Sequence, residues 1–208
     1  MKYGIMERLM WTVFKGGYKR ELVHTLHIGN SGEVMKKAHK KYKEMIAGIQ
    51  EFRPRNRFVA NIILASVLGA VYLSMDEKPS VEQMIAFNRE AVMNNKIMRK
   101  SVISEKNYTA EGQRALVEGA KKSESDNNPY SWKYTFQAGK SLMEFTTYFT
   151  TCGICHLYRL WNISEITPAM CKLDYDMAHA NNTEFLREQT LFEGGDYCDC
   201  HYIHTPPK

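Results

Sequence analysis

The sequence predicts an α+β fold, with a helical amino-terminal half packed on a small antiparallel sheet that carries two further helices. Three observations carry this. From the start to about Asn95, apolar residues recur at intervals of three and four with no strand-like alternation. In SWKYTFQ and MEFTTYFTT, Trp132, Tyr134 and Phe136, then Phe145, Thr147 and Phe149, follow the two-residue period of a half-buried strand. TEFLREQTLFE and YCDCHYIH close the chain as two more β-prone runs. The 208 residues are read as one domain, 1–125 forming the helical layer and 126–208 a sheet-bearing half rich in Cys and Asp.

GNSGEVMKKAHKKYKEMIAGI starts at a turn, with Ser31 as helix cap, and places Val34, Ala38, Met45 and Ile49 opposite a cationic face. The run KKAHKKYKE holds one aromatic and no partner motif, so it reads as a solvated face. FVANIILASVLGAVYLS, Phe58 to Ser74, is shorter than the roughly 20 apolar residues that a membrane span needs and is expected to be a buried core helix. After the turn at Pro79, Ser80 caps an amphipathic helix with Glu82 in its first turn. Thr109 caps another at YTAEGQRALVEGA, which KKSESDNNPY ends. CGICHLYRLW reads as a helix, and Pro168 suits the first turn of a second one in ISEITPAMCKLDYDMAHA. Gly194, Gly195 and Asp196 supply a hairpin turn between the last two strands.

A hydrophobic content of 44% is enough for a substantial core. The net charge of +5, 28 basic against 23 acidic residues, is too small to mark a nucleic-acid binder and points only toward anionic ligands. MKYGIMERLM lacks the pattern of a secretory signal, and five cysteines are an odd number, so the expected compartment is the reducing cytoplasm. No GxSxG elbow, phosphate-cradling loop, HExxH helix or dinucleotide fingerprint is present.

The chemistry-bearing residues are concentrated after residue 150. If Cys152 opens its helix, its sulfur lies at the positive helix end, where thiolate is favoured; Cys155, His156 and Arg159 share its side. Cys171, Asp174, Tyr175 and Ala178 follow helical steps along a second face. In the last strand Cys198, Cys200, Tyr202 and His204 point one way, and Tyr197, Asp199, His201 and Ile203 the other. From the residues alone three readings stay open: buried thiols that only pack, a zinc or iron site using Cys152, Cys155, Cys171 and Cys198, or thiol- or carboxylate-based catalysis with His156, His201 or His204 as proton carrier.

The succession TTCGIC, PAMCKLDYDMA and LREQTLFEGGDYCDCHY resembles the carboxy-terminal signature of the L-2-amino-thiazoline-4-carboxylic acid hydrolase family. NIILASVLGAVYLSMDEKPSVEQMI is similar to that family's amino-terminal half. Cys152, Cys155, Cys171, Asp174, Arg187, Thr190, Gly194, Gly195, Cys198 and Asp199 match its motif positions, whereas Cys200 stands where the family pattern usually has phenylalanine, which demotes it as a functional residue. The resemblance implies hydrolytic opening of a cyclic amidine-like ring to a carbamoyl-cysteine. It implies Cys152 or Cys198 as nucleophile, Asp174 or Asp199 as base and Arg187 as clamp for the substrate's carboxylate; Cys171, Thr190, Gly194 and Gly195 line the substrate site. The partner it implies is a carboxylate-bearing small molecule, with no cofactor, nucleic acid or membrane; homo-oligomerisation is left open.

Overall fold

Ile62 to Tyr72, eleven consecutive residues, are buried in the helix α3 (Val59–Leu73), so packing covers it on every side. A computed structural model describes residues 1–206 of the chain. Helices α1 (Ile5–His24) and α2 (Ser31–Gly48) lie against α3. Each Ile or Leu so enclosed contributes about 1.5–3 kcal/mol, which is why this stretch forms the centre of the helical layer. No helix among the described residues is long and apolar enough to cross a membrane.

The lysines of α2 face solvent, while Ala38, Tyr42 and Met45 are buried on its other side. Its N-cap is Asn30, one residue before the expected Ser31, which forms the first turn. Helix α4 (Val81–Met93) starts at Ser80, whose hydroxyl accepts from the Gln83 N–H while the Gln83 side chain accepts from the Ser80 N–H. The short α5 (Lys96–Val102) buries no side chain and carries no amphipathic signal in the sequence. Thr109 caps α6 (Ala110–Glu124) by accepting from the Gly112 N–H.

The sheet comprises β1 (Tyr134–Ala138), β2 (Glu144–Phe149), β3 (Thr183–Leu186) and β4 (Cys198–His204) in the order β1-β2-β4-β3, with every neighbouring pair antiparallel. The register sets Phe149 opposite Tyr134 and Cys198, Thr147 opposite Cys200, and Tyr202 opposite Phe145 and Phe185. Cross-strand partners project to one side, so these residues form a single inner face. Between β2 and β3 run α7 (Gly153–Leu160), α8 (Thr167–Cys171) and α9 (Leu173–Ala180). The one helix expected across PAMCKLDYDMAHA is therefore two, broken at Lys172.

The last connection also differs from expectation. β3 ends at Leu186, and residues 187–197 form a loop rather than a tight hairpin turn at Gly194. The loop is tied down at its start: the Asp199 carboxylate accepts from the N–H groups of Glu188 (3.1 Å) and Gln189 (2.9 Å), diverting them from ladder pairing.

Asn88 fastens the layers of this scaffold. Fully buried, it accepts from the Tyr18 hydroxyl at 2.7 Å and donates to the Ala169 carbonyl at 2.8 Å, joining α1, α4 and α8. Asn88→Ala strands both partners away from water, and we expect it to lower unfolding free energy by about 2–4 kcal/mol in urea titration, with an unchanged slope.

Candidate active site

Between the sheet's inner face and the helices lies a cavity of about 580 Å³. Its lining includes Cys152, Cys171, Cys198 and Cys200 together with Asp174 and Arg187. Three strand ends and two helices deliver them: Cys152 follows β2, Cys171 ends α8, Asp174 lies in the first turn of α9, Arg187 follows β3, and Cys198 and Cys200 stand on β4.

Cys152 is the N-cap of α7. It can sit there because Gly153 follows it, where a Cβ would come within 2.0 Å of the Tyr130 carbonyl oxygen. The backbone N–H groups of Ile154 and Cys155 favour its charged form, as expected of a helix start, although its sulfur makes no capping hydrogen bond. The neighbouring Cys155 thiol acts more strongly in the other direction and, with burial, pushes the Cys152 thiol well above the usual range. The Cys152 thiol in turn, as the largest influence, holds Cys155 below it. The two thiols are therefore displaced in opposite directions, Cys155 downward and Cys152 upward, the reverse of what the helix start alone would imply for Cys152.

The other three thiols are held neutral. Burial pushes Cys171 and Cys200 up to about 12, with the adjacent Asp174 charge adding to it and Arg187 opposing it. Burial also raises Cys198, although its sulfur accepts from the Leu191 N–H at 3.3 Å.

Arg187 is the buried cation of the site, its side chain 5% exposed. Its Nη1 donates to Asp174 Oδ2 at 2.9 Å and its Nη2 to the Cys171 carbonyl at 2.7 Å, while the guanidinium lies over the Phe185 and Tyr175 rings at 5.1 and 5.3 Å. Burial alone would lower its pKa; the Asp174 carboxylate reverses this and keeps it charged. Asp174 has 45% of its side-chain surface accessible, through the cavity, yet is enclosed by protein; that burial outweighs Arg187 and raises its pKa. Asp174 Oδ1 has no protein partner among the described residues, so one carboxylate oxygen is free for a ligand.

The sequence-predicted site therefore divides. Cys152, Cys171, Asp174, Arg187 and Cys198 converge on the cavity. Asp199, expected as a base, is on the opposite face of β4, where its carboxylate holds the loop that begins at Arg187. Thr190, Gly194 and Gly195, expected at the substrate, instead build that loop. The Thr190 carbonyl accepts from the Glu193 and Gly195 N–H groups, its hydroxyl donates to Glu193, and Gly194 takes a φ of 91°. Cys155, one helical turn from Cys152, is not among the residues that line the cavity. Among the described residues, no three His, Cys, Asp or Glu side chains are grouped so as to hold a metal ion, so the four-cysteine set expected for zinc or iron is not assembled.

Sequence reasoning set Cys200 aside, yet it is 4% exposed and lines the cavity. The two-residue strand period was the signal that found it, since it puts Cys200 beside Cys198. Arg57 and Thr147 also line the cavity and were missed.

Fold and cavity together define an α+β protein with a partly open, thiol-lined site around one ion pair whose arginine is buried. Residues 60–202 match the family described as L-2-amino-thiazoline-4-carboxylic acid hydrolase, and the chain belongs to that family. No curated protein matches the chain.

If Cys152 holds the Cys155 thiolate, Cys152→Ala moves the pH midpoint of Cys155 alkylation upward, toward that of an ordinary thiol. Iodoacetamide labelling followed by peptide mass spectrometry measures this, and in the unaltered protein Cys171 and Cys200 stay the slowest sites at neutral pH.

Proposed function

We propose that the chain is a hydrolase that opens a 2-amino-thiazoline-4-carboxylate-type ring by attack of a cavity thiol. The observation that carries this reading is the convergence of Cys152 and the Asp174–Arg187 pair on one cavity, within the region that matches the family.

The ring's amidine-like carbon lies between sulfur and nitrogen, and its amino edge is a hydrogen-bond donor. Asp174 Oδ1 suits that edge, since a charged acceptor in an enclosed site strengthens with desolvation. Arg187 holds Asp174 in place and keeps its charge compensated. This makes Arg187 a positioning residue, and its clamping of a substrate carboxylate would require release from Asp174.

Cys152 is the nucleophile that fits best, because it lines the cavity and its proton can pass to Cys155, one helical turn away and displaced downward in pKa, as its sulfur bonds to the ring carbon. The N–H groups at the start of α7 then lie beside the developing charge. The ring carbon–sulfur bond breaks, and the departing sulfur takes the proton from Cys155. Water adds to the resulting S-linked isothiouronium carbon and displaces Cys152 as a thiol. The net change is addition of one water, giving a carbamoyl-cysteine with a free thiol.

Chromatography and mass spectrometry of the products test this with 2-amino-thiazoline-4-carboxylate as substrate. We expect conversion to the carbamoyl-cysteine, a fall in kcat of at least about 10³-fold in Cys152→Ala, and about 10²-fold in Asp174→Asn. An unreactive wild-type protein, or a fully active Cys152→Ala variant, would refute the mechanism.

A further inference from the structure

A second cavity, of about 620 Å³, adjoins the thiol-lined one. Arg57, Phe58, Asn107, Leu116, Trp132 and Tyr134 belong to the walls of both. The second cavity is cationic: Arg53, Arg55, Arg57, Lys106 and Lys122 face it against only Glu118 and Asp126. Arg53 is turned to the Ser125 carbonyl and hydroxyl, Glu118 reaches Lys121 and Asp126 accepts from Asn56, which leaves the outer cations uncompensated by these acids.

Arg57 is the side chain common to both spaces that carries charge. The thiol cavity is lined by three charged residues, and two of them, Asp174 and Arg187, are paired with each other. Arg57 forms no ion pair among the described residues. Its Nη1 donates to the Tyr134 hydroxyl at 3.2 Å, and its guanidinium lies over the Phe58 ring at 5.7 Å and the Tyr134 ring at 6.0 Å. Tyr134 Oη in turn reaches the Leu116 carbonyl at 3.1 Å, so the fork is held through β1 and α6, and its remaining N–H donors have no protein partner among the described residues. It lies just outside the matched region, beginning at residue 60, so the family match does not account for it.

We propose that Arg57 is the specificity-determining residue that binds the substrate's carboxylate, and that the cation-lined cavity beside it is the anion-attracting vestibule of the thiol site. This deepens the hydrolase reading and rests on it for the identity of the anion. The division of labour follows from charge: Arg187 is neutralised by Asp174, whereas Arg57 offers a positive fork that a carboxylate can meet in two places. The surrounding lysines and arginines raise the local concentration of anions, an effect that weakens as salt rises.

Two alkylating reagents of nearly equal size and opposite electrostatics test the proposal without any turnover. Rates of Cys152 and Cys155 modification by iodoacetate, an anion, and by neutral iodoacetamide are compared in the full-length protein, in Arg57→Gln and in Arg57→Lys. We expect Arg57→Gln to lower the iodoacetate-to-iodoacetamide ratio about tenfold, Arg57→Lys to restore part of it, and added salt to erode it in the unaltered protein. Gln keeps a donor for Tyr134, and circular dichroism checks that the fold is retained. An unchanged ratio in folded Arg57→Gln overturns the proposal, whatever the protein hydrolyses. In the turnover arm, Arg57→Gln raises KM for 2-amino-thiazoline-4-carboxylate about tenfold and leaves that for the carboxylate-free 2-amino-thiazoline unchanged. An equal rise for both substrates would also overturn it. A wild-type protein that turns over neither, yet shows the ratio shift, removes the hydrolase reading and leaves the anion site standing.

Discussion

A guanidinium removed from water must be compensated, and the buried Arg187 side chain sets that requirement at the seam between helices and sheet. Its partners come from two helices, the Asp174 carboxylate from α9 and the Cys171 carbonyl from α8. Arg187 itself comes from the end of β3, where Asp199 on the far side of β4 fixes the following backbone. The ion pair therefore ties the two layers at the position where the cavity opens. Among the described residues its Nε is buried without a partner, a local cost that the two Nη hydrogen bonds and the two aromatic rings offset.

The five thiols differ in chemistry because their surroundings differ, although all are free. Cys171 and Cys200 are closed in beside a carboxylate and stay protonated. Cys152 and Cys155 sit three residues apart at a helix start, and their proximity displaces Cys155 downward and Cys152 upward. Five cysteines thus fall into one pair at a helix start and a set of buried thiols whose charged form is disfavoured, and the cost of burying charge separates the two.

Much of this was legible from local periodicity. The capping residues Ser80 and Thr109, the buried run of α3 and the alternating aromatics of β1 and β2 follow from short-range rules that the tertiary structure respects. The order TTCGIC, PAMCKLD and GGDYCDC also marked the segments that meet. What local pattern could not decide was which face of β4 turns inward: its two-residue period separates Cys198 and Cys200 from Asp199, but only pairing with β2 and β3 selects the cysteine face. The loop at residues 187–197 was hidden for a related reason, since TEFLREQTLFE has strand propensity throughout and ends early only because Arg187 and Asp199 find distant partners. Arg57 gave no signal at all. An arginine in FRPRNRF looks like any solvated cation until the chain brings Tyr134 beside it.

The account makes the space beneath the sheet, and not its outer surface, the place where chemistry occurs. A crystal structure of the protein with the carbamoyl-cysteine product bound tests that most directly. The account predicts the urea group in van der Waals contact with the Cys152 sulfur and hydrogen-bonded to Asp174 Oδ1, inside the cavity. Product bound on the opposite face of β4, beside Asp199 and His201, with the cavity empty, would contradict it.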